Sequence, residues 1–334
     1  ESLPYMILIW RDDRWTYCNP AFTATTGIQI DQLDRVHFII NESGDLERKI
    51  GIEEEVTLNR EKTEIMVELE GHERWFIYRL QKIDFFHHEA TMLTAIEITQ
   101  QKKNEAIKEL IYEISALTYK TTDKEDFFRR VYLELKKLID LKNIFIALVD
   151  ETEENIYIPF IKDENENQVK VPLEGTLSAL VIRDKSSKLF RKREIEDLIK
   201  RGEAKQVGTM SEAWLGVPLI VEEKVIGLIC VQNYDAVDAI SDEEKRLLEY
   251  LSYQIAVSIE QKMNELSLRE SEEKFRLLAE NIPGVIYVYD VLPNGKRKTI
   301  YYGPGLENLL GENCAARVKG NVDEFFTYIH KDDI

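Results

Sequence analysis

Residues 214–234, WLGVPLIVEEKVIGLICVQNY, form two apolar runs around a polar turn, with side chains falling on two faces at a period of two. Leu215, Val217, Leu219 and Val221 share one face of a first strand, and Glu222, Glu223 and Lys224 supply a polar turn. In a second strand Ile226, Leu228 and Cys230 share one face, and Val225, Ile229 and Val231 the other. Both faces are apolar, so this hairpin is expected inside its sheet and covered on both sides. Gly216 and Gly227 leave room there for a neighbouring backbone or a small molecule.

The same reading extends along the chain. Residues 4–10 form an apolar strand, joined by a charged turn to a second strand at 15–18, and Asn19-Pro20-Ala21-Phe22 opens a short helix that stops at Gly27. Alternating runs follow at 55–58, 63–69, 75–83 and 90–98. The period then changes, and Ile107, Leu110, Ile111, Ile114 and Leu117 predict an amphipathic helix over 102–119. Thr122-Asp123-Lys124-Glu125 reads as a capping box opening a helix through Ile139. Strands are expected at 143–149, 155–161 and 169–172, and helices at 176–184 and 193–201, the latter ended by Gly202. The basic cluster at 185–193, KSSKLFRKR, reads as a solvated connection.

Ser241-Asp242-Glu243-Glu244 is a second capping box, which launches a long helix. Along it Ala256, Ile259, Met263 and Leu266 recur three and four apart, which suits either a homodimer seam or packing on the helix's own domain. Strands at 285–290 and 298–302 follow. The expected class is α+β, with antiparallel five- or six-stranded sheets joined by long amphipathic helices.

Charge narrows the partners. A net charge of −18 over 334 residues argues against nucleic-acid binding, because phosphates would be repelled by the average surface. No run of about twenty apolar residues can span a bilayer, and no signal peptide opens the sequence. Cys18, Cys230 and Cys314 form no CxxC pair, so neither a disulfide framework nor a cysteine zinc site is expected. Together these suggest a soluble protein of a reducing cytoplasm. No GxxxxGK[ST], GxGxxG or HExxH occurs, and catalysis within this chain is not expected.

Three stretches resemble known sensory families. The strand–turn–strand opening, NPAF at 19–22, TTG at 25–27 and TAIEITQQKKNEA at 94–106 resemble the PAS family, with Glu97 where Asp is usual. GTMSEAWLGVPL at 208–219, the Gly227-centred strand and the helix start at Ser241 resemble the GAF family of bacterial sensor proteins. FRLLAENIP at 275–283, Gly303-Pro304-Gly305-Leu306 and FTYIHKDD at 326–333 again resemble PAS, with Gly303 for Ser and Lys331 for Pro. The resemblances imply a PAS-like domain over 1–100, a connecting helix over 101–120 and a GAF-like domain over 108–261. A signalling-helix linker over 256–280 and a second PAS-like domain over 272–334 follow. Both ends fall inside these patterns, so an upstream segment and the rest of the last fold are expected to lie outside the chain.

Such modules sense a small molecule or a partner and relay it through helices, most often to a sensor histidine kinase. A diguanylate cyclase, a phosphodiesterase or a transcription activator is the alternative output, and a ligand-free dimerisation scaffold the third reading. Tyr157, Phe160, Trp214 and Tyr234 are candidates to line a pocket, with Arg183 near its mouth. In the first domain Trp10 and Trp75 are candidate pocket walls and His37 a candidate haem ligand, core packing being the alternative for all three. No histidine falls between Lys108 and Gln261, which excludes a histidine-ligated haem in the GAF-like domain. Cys230 lies in a central strand, where packing is expected rather than bilin attachment. Gly311-Glu312-Asn313-Cys314 is similar to the flavin-adduct motif of photosensory PAS domains. Ala315-Ala316-Arg317 breaks that motif, so no flavin adduct at Cys314 is expected.

Overall fold

The computed structural model describes residues 5–332 apart from 13, 32–37, 43–45, 51–62, 70–71, 140, 151, 153, 166, 168–169, 283, 294, 296, 304, 329 and 331. His37 and the run at 55–58 therefore lie outside the described residues. The chain divides into two units, Glu1–Tyr112 and Glu113–Ile334.

The first unit is built on one antiparallel sheet. Its strands are β1 (Met6–Arg11), β2 (Arg14–Cys18), β3 (Phe38–Glu42), β4 (Leu46–Ile50), β5 (Thr63–Leu69), β6 (His72–Phe85) and β7 (His88–Glu97), in the order β2-β1-β7-β6-β5-β3-β4. Helix α1 (Pro20–Thr26) starts where the Asn19 side chain accepts the Phe22 N–H at 3.1 Å. The Asn19 side chain also accepts the Ile7 N–H at 3.0 Å and donates to the Tyr5 carbonyl at 2.8 Å, which ties the helix to β1. Gly27, at φ 73°, ends it in the left-handed conformation that a side chain would strain. Met6, Leu8, Trp15, Phe22, Phe76 and Tyr78 are among the residues of the core. The sheet has seven strands rather than five or six, because the hairpin β3–β4 adds to the edge of β5. His87, at φ 63°, is in the turn between β6 and β7.

In the second unit, helix α2 (Thr99–Lys120), which begins before the division, leads to α3 (Lys124–Leu135). Asp123, not Thr122, caps α3 by accepting the Asp126 N–H at 2.8 Å, and the helix ends at Leu135 rather than Ile139. There follow β8 (Asn143–Val149), β9 (Asn155–Lys162), β10 (Lys170–Pro172), α4 (Leu177–Asp184), β11 (Lys188–Arg191), α5 (Lys192–Lys200), β12 (Ala213–Val221) and β13 (Lys224–Asn233). The sheet is antiparallel, in the order β10-β9-β8-β13-β12-β11. The expected solvated connection at 185–193 instead contributes the edge strand β11, paired with β12 through Lys188–Gly216 to Arg191–Ala213. A basic edge strand is difficult to see in sequence, because its pairing uses backbone rather than side chains.

The hairpin β12–β13 turns at Glu222 and Glu223, both at positive φ (46° and 68°), as a two-residue type I′ turn requires. Helix α4 covers one face of the sheet through Val181, packed with Trp214, Leu228 and Cys230. On the other face the chain returns as α6 (Asp242–Asn281), opened by the Ser241–Glu244 capping box. At 40 residues α6 is about 60 Å long. Its buried positions Leu248, Leu251, Ile255, Ile259 and Lys262 recur three and four apart, so half of it belongs to this domain's core. Ala256 and Ile259, two of the four seam candidates, are buried within the chain.

Beyond α6 lie the hairpin β14 (Tyr287–Val291) and β15 (Arg297–Tyr302), and the helices α7 (Gly305–Leu310), α8 (Glu312–Gly320) and α9 (Val322–Phe325). A small core forms there from Leu306, Ala315, Val318 and Phe325.

Candidate ligand-binding site

A cavity of about 110 Å³ lies between the six-stranded sheet and α4 and α5. Its floor is apolar, from Phe145 on β8, Ile156, Ile158 and Ile161 on β9, and Trp214 on β12. Strict alternation would place Ile158 and Ile161 on opposite faces of β9. Ile146 pairs with Phe160 and Leu148 with Tyr157, so Ile158 and Pro159 together oppose Ala147. This β-bulge resets the alternation and brings both isoleucines to the cavity.

The Trp214 ring is held by two features of β12 and its neighbour. It stacks on Phe190 of β11 at 6.0 Å between centroids. A Cβ at Gly216 would collide with the same ring and with Val181, so the space that glycine leaves is filled by Trp214. Gly227 has a different role: a Cβ there would meet the Ala147 carbonyl oxygen of the paired strand.

One polar end of the cavity is a closed network. The buried Ser211 hydroxyl lies 2.8 Å from Gln232 Oε1, which accepts its proton, and Gln232 Nε2 donates to Asp163 at 3.3 Å. The Tyr234 hydroxyl donates to the same carboxylate at 3.0 Å. Burial, and then the Asp163 charge, push the Cys230 thiol well above its ordinary pKa, which makes it a packing residue and not a nucleophile. The other polar end is the start of α4. Thr176 caps it, accepting the Ala179 N–H at 3.1 Å, and Ser178 is buried on the cavity wall. Lys205, Gln206 and Val207 form an exposed rim.

Of the residues singled out in the sequence, Trp214 lines this cavity. Tyr157 carries the Lys124 ammonium over its ring at 5.5 Å, and Phe160 stacks on Tyr132 of α3 at 5.4 Å, both on the helix α3 side of β9. Tyr234 sits behind the wall, on Asp163. Arg183 is exposed at the far end of α4, bonded to Asp184 at 3.0 Å. In the first unit Trp10 packs edge-on to Trp15 at 5.1 Å, and Trp75 lies under the Lys102 ammonium at 5.6 Å. The side chain of Cys314 is outside the described residues. Ser178, Ser211, Gln232 and Lys205 were not singled out. Ser178 alone carried a signal, as a polar residue three before Val181 on the apolar stripe of α4.

Among the described residues no cluster of three His, Cys, Asp or Glu side chains could hold a metal ion. No helix among them is long and apolar enough to cross a membrane. The arrangement can enclose a small molecule, and it places no nucleophile beside a base.

Residues 121–260 match the family model of the GAF domain. Among solved structures the chain is similar to the GAF domain of an Acinetobacter phosphoenolpyruvate-protein phosphotransferase, at 19% identity and a TM-score of 0.40, over 49% of this chain and 95% of that one. It is also similar to the free methionine-R-sulfoxide reductase of Neisseria meningitidis in complex with its substrate (12% identity, TM-score 0.39, 48% and 91%). A third is the phycocyanobilin-bound GAF domain of a cyanobacterial phytochrome (13%, 0.38, 48% and 96%). No curated protein matches the chain.

Proposed function

We propose that this chain is the input part of a signal-transduction protein, and that its GAF domain holds a small effector in the cavity between the sheet and α4. The observation that carries this reading is the cavity itself: apolar walls, a polar group at either end and a rim open to solvent. The cavity wall continues into the relay, since β12 carries Trp214 on the cavity side and packs against α6 on the other face. A change in cavity occupancy is thereby coupled to a helix that leaves the domain.

The full reading is a PAS–GAF–PAS module over 1–100, 108–261 and 272–334, cytoplasmic and homodimeric through its connecting helices. Its output is a histidine kinase of a two-component phosphorelay, with a cyclase, phosphodiesterase or transcription activator as the other outcome. Exposed Leu268, Phe275 and Leu278 on the outer half of α6 support the dimer.

The test is release of a bound molecule. Purified chain is weighed by native mass spectrometry, denatured, and the released small molecule identified and added back while Trp214 fluorescence is followed. A stoichiometric adduct that shifts the fluorescence is expected. An empty protein whose fluorescence ignores a metabolite extract would leave a scaffold. Light scattering over a concentration series that finds only monomer would remove the dimer.

A further inference from the structure

Resting on the ligand-binding reading above, we propose that the cavity takes a small monocarboxylate with a short, branched apolar tail, its carboxylate seated at the start of α4. Leu177, Ser178 and Lys205 all line that end of the cavity. The Ser178 side chain is on the cavity wall, in a residue only 5% exposed, and its hydroxyl has no hydrogen-bond partner among the described residues. A hydroxyl that faces a cavity without a protein partner is open to a ligand acceptor or donor. The N–H groups of Leu177 and Ser178 occupy the first turn of an eight-residue helix, where no intrahelical carbonyl reaches them and the helix dipole favours an anion.

Lys205 supplies the counter-charge. Its backbone N–H donates to the Gly175 carbonyl at 2.6 Å, which fixes it beside the N-cap of α4. Its methylenes cross Gly175 so closely that a Cβ would lie 3.0 Å from them, and Gly175 is at φ 77°. Glycine therefore keeps the path of this side chain clear. Among the described residues no carboxylate pairs with Lys205, and Glu203 pairs with Arg201 at 3.0 Å instead.

The rest of the cavity fixes the other end of the ligand. Ile156, Ile158, Ile161 and Trp214 offer nothing to a second charge. Asp163 disfavours another anion, and its oxygens are already taken by Tyr234 and Gln232, so an ammonium gains little there. The volume of about 110 Å³, against about 150 Å³ for a cavity that takes benzene, suits a tail of about four non-hydrogen atoms with its head group at the open rim.

The experiment is calorimetric titration of the whole chain with 3-methylbutanoate, 3-methylbutan-1-ol and 3-methylbutylamine, which share one tail. The acid is expected to bind at least about tenfold more tightly than the alcohol, and the amine least. Ser178→Ala and Lys205→Gln are each expected to weaken the acid about tenfold and to leave the alcohol unchanged. Both substitutions are small or at the surface, so the fold is retained. Equal affinity for acid and alcohol, or acid binding indifferent to both variants, overturns the carboxylate site while the cavity remains a ligand site. Failure of all three probes also overturns it, and the sensor reading is then decided separately by the molecule released from the purified protein.

Discussion

Lys262 Nζ donates to the Thr118 carbonyl oxygen at 3.0 Å from a residue only 1% exposed. It also donates to the Thr121 carbonyl at 2.7 Å and to Glu265 at 2.8 Å, so all three ammonium protons are used. Thr118 and Thr121 stand at and just past the end of α2, where the last carbonyls have no intrahelical donor. The helix that leaves the domain therefore caps the helix that enters it.

Lys262→Met keeps the stem and removes this cap. Two buried carbonyls lose their donor, and the second unit is expected to lose about 2 kcal/mol. Thermal unfolding and hydrogen exchange around Thr121 measure it. An unchanged midpoint with unchanged exchange would show that the cap contributes nothing.

Ser258, one turn before Lys262, carries a hydroxyl that is wholly buried with no partner among the described residues. Ser258→Ala removes an unmet desolvation cost and is expected to be neutral or to stabilise by up to about 1 kcal/mol. A clear loss of stability in urea unfolding would mean that the hydroxyl is bonded in solution.

The two glycines of the hairpin should differ under the same substitution. At Gly216 the obstructing atoms belong to side chains, Trp214 and Val181, which can shift; about 1–3 kcal/mol is expected, with altered Trp214 fluorescence. At Gly227 the obstruction is the Ala147 backbone in a paired strand, which cannot shift without parting β8 from β13. Gly227→Ala should therefore be the more damaging by denaturant midpoint, and the reverse order would contradict this packing.

Asp150 holds its proton unusually weakly, with a pKa lowered from 3.8 to about 2. The largest cause is the Asn155 side-chain amide, bonded at 3.0 Å, helped by Thr152, the Asn155 N–H and Lys170. A depressed carboxyl stabilises the fold above its unfolded value, and that contribution is lost as pH falls from about 4 to about 2. Carbon-detected NMR titration should place the Asp150 midpoint near 2, and Asn155→Ala should return it towards 3.8. A midpoint already at 3.8 in the parent chain would contradict the turn geometry.

Cys230 should resist alkylation in the native state, because burial disfavours its thiolate. Iodoacetamide followed by peptide mapping should modify the half-buried Cys18 first and Cys230 only on unfolding. Early labelling of Cys230 would mean that the sheet opens readily.

Most elements of this chain are written locally. Two short apolar, β-branched runs around a polar turn mark β12 and β13, Asn19 and Ser241 mark helix starts through their own side chains, and Gly27 marks a helix end through its backbone freedom. Long-range pairing was not written there. Strand β11 exists because β12 offers it a backbone edge, and the cluster KLFR contains no signal of that. The hairpin β3–β4 likewise depends on β5.

The site followed the same division. Trp214 was one of the aromatic candidates in the sequence, and it lines the cavity. The bulge opposite Ala147 decided the rest of β9: it turned Tyr157 and Phe160 to helix α3 and Ile158 and Ile161 to the cavity, because one extra residue reverses every later side chain. Ser178 and Lys205, 27 positions apart, line one cavity, and the Lys205 backbone is held there by its bond to the Gly175 carbonyl. Periodicity determined which residues form helices and strands; the register between strands, a property of the closed sheet, decided which of them face the cavity.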